Sequence, residues 1–261
     1  MPELPFQSPI GLPFVELQSV DSTNNYALQQ VHAGLARHGA AFFAHEQFAG
    51  KGQRGKSWSG EPGANLLLSI VVNPHPLTVS RQFELSACIA IAGHQLISQF
   101  AGGDCSIKWP NDLYWQDRKA GGILVENIIR SGNGSEGQWQ WAIIGTGINV
   151  NQTSFPENLQ NPVSSNQITG QSLNTVDLAH QYCEILAKNL RQLAKEGFTP
   201  IHSAYVERLY KRGETARFRI GNRSFEARVK TVRADGRLVL EHAIEEEFNF
   251  GELEWIISPK K

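Results

Sequence analysis

Hydrophobic and polar positions over the first hundred residues predict three β-strands followed by a long helix. Residues 14–20 (FVELQSV) alternate with the period of a half-buried strand. Residues 39–47 (GAAFFAHEQ) predict a second strand, and the continuous apolar run at 65–72 (NLLLSIVV) is typical of a strand buried on both faces. The mostly apolar residues 80–99 then predict the helix.

A short helix is expected directly after the first strand. In the segment DSTNNYALQQVHAGL, apolar residues recur with helical spacing from Tyr26 to Val31. Either Asp21 or Ser22 can cap the N-terminus of this helix. The polar sequence DSTNN therefore lies where a strand gives way to a helix.

The middle of the chain predicts four further strands. The sequences CSIKWP and DLYWQD have the character of short strands interrupted at Pro110, since proline cannot donate to a sheet. Residues 121–130 and 137–150 predict two longer strands joined by the turn-rich sequence SGNGSEG. Residues 151–174 are rich in Asn, Gln, Ser and Thr and predict an irregular surface loop.

The last hundred residues change character near position 211. Two helices are expected near 175–196 and 199–210, and short β-like runs follow: TARFRI, SFEARVKTV, RLVLEH, EFNF and ELEWII. The sequences GN and ADG between these runs are hairpin turn signals. Short strands at this spacing predict a small barrel that resembles an SH3 module. We therefore expect two domains, 1–211 and 212–261.

Composition and charge exclude several classes of protein. The 261 residues carry a formal net charge of −1, so no broad electrostatic footprint for nucleic acid is expected. The three cysteines, Cys88, Cys105 and Cys183, have no metal-binding spacing and suit a reducing compartment. No stretch approaches the roughly 18 apolar residues of a membrane helix, and the N-terminus lacks the features of a signal peptide. A cytoplasmic protein is expected.

A glycine-rich basic loop, AGKGQRGKSW at 49–58, is the first candidate for chemistry. Lys51, Arg54 and Lys56 supply charge, and the glycines allow backbone N–H groups to approach an anion. The spacing matches neither a Walker loop nor a dinucleotide fingerprint. By itself the loop is equally consistent with a surface turn of no function.

The segment IKWPNDLYWQDRKAGGILVE at 107–126 is the second candidate. Asn111 and Asp112 follow a proline, where polar side chains can turn inward. Lys119 precedes an apolar strand, and an ammonium group held near a phosphate or carboxylate stabilises charge that develops in a transition state. A solvated turn lysine is the alternative.

Two further polar sites come from DSTNN and GTGINVNQ. The neighbouring side chains of Ser22, Thr23 and Asn24 provide several hydrogen-bond donors and acceptors. An N-cap accounts for only one of these side chains, and the others could recognise a small amide or ureido group. In GTGINVNQ, the glycines permit close approach and Asn149 can contact a nucleotide or sugar, although a glycine-kinked core strand has the same sequence. The scattered histidines and the lack of a G-x-S-x-G sequence argue against a hydrolase.

Taken in order, the motifs resemble the biotin–protein ligase (biotin–[acetyl-CoA-carboxylase] ligase) family. The matching sequences are DSTN, EQFAGKGQRGKSW, GANLLLS, KWPNDLYWQDRKAGGILVE and GTGINVN, and GELE at 251–254 fits a family-like ending. The resemblance implies an α+β fold in which helices pack on a mixed or antiparallel sheet of the class II synthetase-like type, with a C-terminal SH3-like barrel. It also implies a ligase-only type, without the N-terminal winged-helix DNA-binding domain of some members.

The resemblance implies a reaction in two halves. Biotin and ATP with Mg²⁺ form biotinyl-5′-AMP, and the activated carboxyl then passes to one lysine of a biotin carboxyl carrier protein or domain. The expected partners are biotin, ATP and the carrier, with no DNA and no membrane, and the protein would be a monomer or homodimer.

The resemblance also assigns residues to subsites. The biotin site would comprise Ser22, Thr23, Asn24, Gln47, Lys51, Gly52, Gln53, Lys119, Gly122 and Leu124. The ATP and adenylate site would comprise Lys51, Arg54, Trp58, Asn111 and Asn149. Lys119 would be catalytic, bridging the biotin carboxylate and the α-phosphate, and Asp112 is a candidate for ordering the site or holding Mg²⁺.

The basic loop departs from the family pattern, which usually has arginines where this chain has Lys51 and Gln53. Lysine loses the bidentate geometry of arginine, and glutamine loses the charge. Which of Lys51, Arg54 and Lys56 contacts phosphate is therefore open. We expect a loop that is mobile without ligand and closes mainly through Lys51 and Arg54.

Three alternatives remain at this level. A lipoate–protein ligase or octanoyltransferase has a related fold and a similar lysine, but its apolar acyl tail would not need the polar Ser22–Asn24 cluster with Gln47. A non-catalytic vitamin sensor would not need Lys119 and the basic loop. A nucleic-acid regulator is disfavoured by the near-zero net charge.

Overall fold

The computed structural model describes residues 5–130 and 137–257, which fold into two large sheets, one two-stranded sheet and five α-helices. The strands of the larger sheet are β1 Phe14–Val20, β2 Ala41–Gln47, β5 Asn65–Val72, β6 Cys105–Lys108, β7 Asp112–Trp115, β8 Arg118–Arg130 and β9 Gln138–Asn149. A short hairpin consists of β3 Gly50–Lys51 and β4 Ser57–Trp58. The helices are α1 Thr23–His32, α2 Gln82–Ala101, α3 Ser165–Thr169, α4 Thr175–Glu196 and α5 Phe198–Glu207. The second sheet contains β10 Thr215–Ile220, β11 Arg223–Val232, β12 Leu238–Glu241, β13 Glu245–Phe248 and β14 Glu254–Ile256.

The larger sheet is mixed, with strand order β1-β2-β5-β9-β8-β7-β6. Strands β1 and β2 run parallel, and every other neighbouring pair is antiparallel. All eight residues of β5 are buried, because helices cover both faces of the sheet at its centre. The α+β fold class expected from the sequence is confirmed.

Helices cover the two faces of the sheet unequally. Helices α2, α4 and α5 pack together and share one large apolar cluster with the sheet, which includes Leu68, Leu85 and Leu186. The opposite face has a small cluster in which Ala27 of α1 meets Val71 of β5. The thinly covered face leaves room for a polar site beside α1.

The second sheet is antiparallel, with order β13-β12-β11-β10-β14, as expected for a small SH3-like unit. Its buried residue Phe218 belongs to the same apolar cluster as the main sheet. Trp109 Nε1 donates a hydrogen bond to the Gly236 carbonyl at 2.8 Å, so the two units also share a polar contact. The division at 211/212 stays a prediction.

The observed structure corrects three sequence-based expectations. The basic loop contains the β3–β4 hairpin, and the segment predicted to be irregular contains α3, which a capping box between Ser164 and Gln167 begins. Ser22 holds the N-cap position of α1 but its side chain makes no capping hydrogen bond.

The turn predicted between β8 and β9 falls mostly outside the described residues. In the part described, no helix is long and apolar enough to cross a membrane.

Candidate functional site

Two glycines in β9 form the floor of the candidate site. In the antiparallel β8–β9 pair, Gly147 lies opposite Gly122 and Gly145 lies opposite Leu124. A Cβ atom at Gly145 would lie 2.4 Å from Asn24 Oδ1, and one at Gly147 would lie 2.7 Å from Trp58 Cε2. The missing side chains therefore let an amide and an indole ring lie directly on the sheet.

A buried polar cluster lies at the start of α1. The backbone N–H and the hydroxyl of Thr23 both donate to Gln47 Oε1, at 2.7 and 2.9 Å. Ser69 Oγ lies within hydrogen-bond distance of Thr23 Oγ1 and of Asn24 Oδ1, at 2.7 and 2.5 Å. Ser22, next in the chain, is also buried. These groups form a hydrogen-bonded cluster whose donors and acceptors suit a small polar ligand group.

Ser69 was not recognised as a site residue from the sequence. It lies in the middle of β5, where every residue is buried. A lone hydroxyl in the run NLLLSIVV is the signal that could have identified it, because a buried polar group needs a partner.

Glu126 connects the polar cluster to the basic hairpin, and it too was missed. Asn24 Nδ2 donates to Glu126 Oε2 at 2.7 Å, and Lys51 Nζ lies 3.4 Å from Glu126 Oε1. Glu126 follows Leu124 by two residues in β8, so the two share a face of the sheet. This strand period is the sequence signal that points to Glu126.

The basic hairpin contacts both the main sheet and the second sheet. Gln53 Nε2 donates to the Ile123 carbonyl at 2.9 Å, which ties the turn to β8. Arg54 adopts a left-handed backbone with φ of 54°, and a Cβ atom at Gly251 would lie 3.2 Å from Arg54 Cζ. The Gly52 N–H donates to the Lys56 carbonyl at 2.6 Å and closes the hairpin. The Gln53 amide thus attaches the hairpin to β8, whereas the Arg54 side chain contacts the GELE segment at 251–254.

Two lysines share one carboxylate at the far end of the floor. Lys119 Nζ lies 2.6 Å from Asp112 Oδ1, and Lys108 Nζ lies 3.6 Å from Asp112 Oδ2. Burial alone would raise the pKa of the Asp112 carboxyl, but the two ammonium groups outweigh burial and hold that pKa below its ordinary value. Burial lowers the pKa of Lys108, and Asp112 opposes that shift. The cluster carries a net charge of +1 when all three groups are ionised.

The backbone of Lys119 is held on a second side by the segment predicted to be irregular. The Lys119 N–H donates to the Asn161 carbonyl at 2.7 Å, and the Val163 N–H donates to the Lys119 carbonyl at 2.9 Å. Asn149 Nδ2 donates to the Val163 carbonyl at 3.1 Å and lies 3.4 Å from the Lys119 carbonyl oxygen. The Asn149 amide nitrogen therefore fixes the strand that carries Lys119.

Two buried polar atoms near the glycine floor have no hydrogen-bond partner among the described residues. Asn111 donates through Nδ2 to the Ile123 carbonyl at 2.9 Å, which leaves its Oδ1 unpaired. Trp58 Nε1 is the other such atom. Because buried polar groups are normally satisfied, one acceptor and one donor are available here for a ligand.

Within the described part of the chain, protein side chains alone form no site for a metal ion. Over residues 5–130 and 137–257, no group of three or more His, Cys, Asp or Glu side chains lies close enough to hold a metal ion. Asp112 faces Lys119 and Lys108, so its metal role stays a prediction.

Comparisons with known proteins agree with this arrangement. Residues 16–149 match the biotin/lipoate A/B protein ligase family. The chain is 31% identical over 228 residues to the bifunctional ligase/repressor BirA of Escherichia coli, covering 86% of this chain and 68% of that protein. It is 30% identical over 233 residues to the biotin–[acetyl-CoA-carboxylase] ligase of Paracoccus denitrificans, covering 86% of this chain and 92% of that protein.

Solved structures share the fold. The biotin protein ligase from Aquifex aeolicus, in complex with biotin and ATP, superposes with a TM-score of 0.77 at 22% identity. The superposition covers 94% of this chain and 98% of that one, so it includes the second sheet.

Proposed function

Because the chain belongs to the biotin/lipoate A/B protein ligase family, we propose that it is an ATP-dependent biotin–protein ligase. The observation that carries the proposal is the pairing of two features along one glycine floor. The buried polar cluster around Asn24 lies at one end, and the Lys119–Asp112–Lys108 cluster lies at the other. One end suits a ureido head, and the other suits anions.

In the first half-reaction, a carboxylate oxygen of biotin attacks the α-phosphorus of ATP. The new P–O bond gives biotinyl-5′-AMP, and the bond to the β-phosphate breaks to release pyrophosphate. Both reactants are anions and repel each other, and Lys119 supplies positive charge between them. A general base is unnecessary because the carboxylate is already ionised near pH 7.

Asp112 and Lys108 support Lys119 in this step. Asp112 fixes the ammonium of Lys119 through a 2.6 Å contact. Lys108 offsets the negative charge of Asp112 from the other side, so Lys119 keeps its net attraction for anions. Mg²⁺ would enter with the ATP phosphates and neutralise their charge, as it does in most phosphoryl-transfer sites.

In the second half-reaction, the amine of a carrier lysine attacks the activated carbonyl carbon. An amide bond forms, AMP leaves with the electron pair of the anhydride bond, and the amine loses a proton. The basic hairpin would shield the anhydride from water until the carrier arrives. A biotin carboxyl carrier protein or domain is the proposed partner, supported by the ligase of Paracoccus denitrificans.

The polar cluster favours biotin over lipoate or an octanoyl group. A ureido ring has two N–H donors and a carbonyl acceptor, which can pair with hydroxyl and amide groups such as those of Thr23, Asn24 and Gln47. A dithiolane or an alkyl end offers no N–H donor and no carbonyl acceptor for the hydrogen-bonding capacity that these groups keep beside their mutual bonds. Each such bond left unmade costs roughly 1–3 kcal/mol. Residues 1–211 would hold this chemistry, and 212–261 would form a separate C-terminal domain.

The test is a labelling reaction. The protein is incubated with ATP, Mg²⁺, biotin and a biotin carboxyl carrier domain, and the carrier is weighed by mass spectrometry. A gain of one biotin is expected, with no gain when lipoate replaces biotin. An unchanged carrier under conditions where a known ligase modifies it would contradict the proposal.

A further inference from the structure

Glu126 joins two parts of the site that lie far apart in the chain. Its Oε2 accepts a 2.7 Å hydrogen bond from Asn24, in α1, and its Oε1 lies 3.4 Å from the ammonium of Lys51, in the basic hairpin. Glu126 itself lies in β8, so three separate elements meet at one carboxylate. Its side chain is 35% exposed, and the ion pair is therefore only partly screened by solvent.

The position of Glu126 on its strand places it at the end of the proposed biotin tail site. Gly122, Leu124 and Glu126 alternate along β8 and share the face that carries the glycine floor. Leu124 would line the tail, and Asn24 lies over Gly145, directly opposite Leu124. Glu126 follows one step further along this face.

Of the basic hairpin's residues, Lys51 contacts the carboxylate that also binds the polar cluster. Gln53 is held by the main-chain carbonyl of Ile123, and Arg54 packs against Gly251 of the second sheet. Lys51 reaches the carboxylate that also orients the Asn24 amide. The same carboxylate therefore contacts both Asn24 and Lys51.

From this geometry, and resting on the proposed function, we propose that Glu126 is a positioning residue that couples the biotin head pocket to closure of the basic hairpin. One carboxylate oxygen orients the Asn24 amide for the ureido group. The other holds Lys51 of the basic hairpin at the head end of the site. Biotin binding and hairpin closure thus stabilise each other.

The experiment compares four variants with the unmodified enzyme: Glu126→Gln, Glu126→Ala, Lys51→Ala and the double variant Glu126→Gln/Lys51→Ala. Glu184→Gln, an exposed glutamate on α4, is the matched control. Two quantities are measured. The KM for biotin comes from pyrophosphate release, and the leakage rate is that at which preformed biotinyl-5′-AMP leaves the enzyme.

The two Glu126 variants are expected to differ. Glutamine keeps an acceptor for Asn24 but loses the charge, so the KM for biotin should stay within about twofold while leakage rises about threefold, the effect of one partly exposed ion pair. Alanine removes both contacts, and the KM for biotin should rise about tenfold because a charge-assisted hydrogen bond is lost. A merely structural role would not separate KM from leakage in this way.

The double variant tests the coupling. Once Lys51 is alanine, Glu126→Gln should leave leakage unchanged relative to Lys51→Ala alone, because both changes break one interaction. Effects that multiply in the double variant would overturn the proposal, as would Glu126→Gln and Glu126→Ala variants that both behave like Glu184→Gln.

Failure of the proposed function has a different signature. If the unmodified protein releases no pyrophosphate with biotin and ATP, the ligase function and the role of Glu126 both fall. If the unmodified protein is active and the Glu126 variants match it, the role of Glu126 alone falls. Glu126→Gln preserves size and shape, so it keeps the test decisive even if Glu126→Ala does not fold.

Discussion

At the scale of single residues, Lys119 is held by contacts on three sides. Its side chain meets Asp112, its backbone pairs with the segment that includes Asn161 and Val163, and a Cβ atom at Gly122 would lie 3.2 Å from its Nζ. A residue confined from three sides has little rotamer freedom left to lose when a ligand binds. The ammonium group is therefore preorganised for charge that develops nearby.

Replacing Lys119 tests this preorganised charge. Lys119→Ala should slow adenylate formation by roughly 10² or more, as when one charge-stabilising donor is removed. Lys119→Arg should also be impaired, because a planar fork does not replace a compact ammonium. Pyrophosphate release measures the rate, and Lys195→Ala on the exposed side of α4 is the control. A folded alanine variant with normal turnover would remove Lys119 from the mechanism.

His38 makes stability depend on pH. Its Nδ1 accepts a hydrogen bond from the Asn73 N–H at 3.1 Å, and burial lowers the pKa of His38 to about 4 from the ordinary 6.5. Between these values the unfolded chain binds a proton that the folded protein does not bind. The free energy of unfolding should therefore be highest above pH 6.5 and fall as pH drops towards 4, by about 2 kcal/mol.

Urea unfolding of the unmodified protein and of His38→Gln at pH 7 and pH 4.5 measures this effect. Glutamine can accept the bond from Asn73 but does not titrate. The variant should lose distinctly less stability on acidification than the unmodified protein. Parallel losses in both proteins would assign the pH dependence to other groups.

At the scale of elements, we expect β9 to separate the proposed biotin and nucleotide sites along one strand. Gly145 makes room for Asn24, and Gly147 makes room for Trp58. Gly145→Ala should therefore raise the KM for biotin, and Gly147→Ala should raise the KM for ATP, each by about tenfold, as when one good polar or packing contact is lost. Gly103→Ala, where a Cβ atom meets nothing within 4 Å, is the control.

Steady-state kinetics with each substrate varied in turn decide between this assignment and a general disturbance of the sheet. If both glycine variants raise both KM values equally, the floor is not divided between biotin and nucleotide. Circular dichroism identifies any variant that fails to fold.

The basic hairpin is the element expected to move. Three glycines give the segment 50–57 high backbone entropy, and the partly exposed ion pair of Lys51 with Glu126 holds it only weakly. Amide hydrogen exchange across 50–57 should slow when biotin and ATP are added, while exchange in α4 stays the same. Adenylate should leak faster from Lys51→Ala or Arg54→Ala than from the unmodified protein. Equal exchange and unchanged leakage would show that the hairpin is not a lid.

At the scale of the whole molecule, the second sheet supports the turn that carries Asn111 and leads into Asp112 of β7. Trp109, in that turn, donates to Gly236, and its ring lies 6.0 Å from the ring of Phe250. The two units also share one apolar cluster. They should therefore unfold together.

Trp109→Phe tests this cooperativity. The change leaves the Gly236 carbonyl without its donor, which costs roughly 1–2 kcal/mol. Scanning calorimetry should show one transition in both proteins, lowered by about 3–6 °C in the variant. Two transitions, only one of which shifts, would show that the sheets unfold independently.

Local patterns along the chain predicted most elements and the motifs of the site. β5 was predicted with the bounds that the structure shows, because a continuous apolar run between polar residues is a local signal. Thr23 and Asn24, together with Lys119, lie in short motifs whose residue types suit their chemistry regardless of distant contacts. The fold class followed from the same motifs.

The partners that complete those motifs became visible in the folded chain and not before. Ser69 lies 45 residues from Asn24 in the chain, and Glu126 lies 102 residues from it, yet both contact its amide. The contact of Arg54 with Gly251 likewise joins the hairpin to the second sheet. Periodicity describes neighbours along one element, whereas these contacts depend on strand order and register, which bring together residues that no local pattern relates.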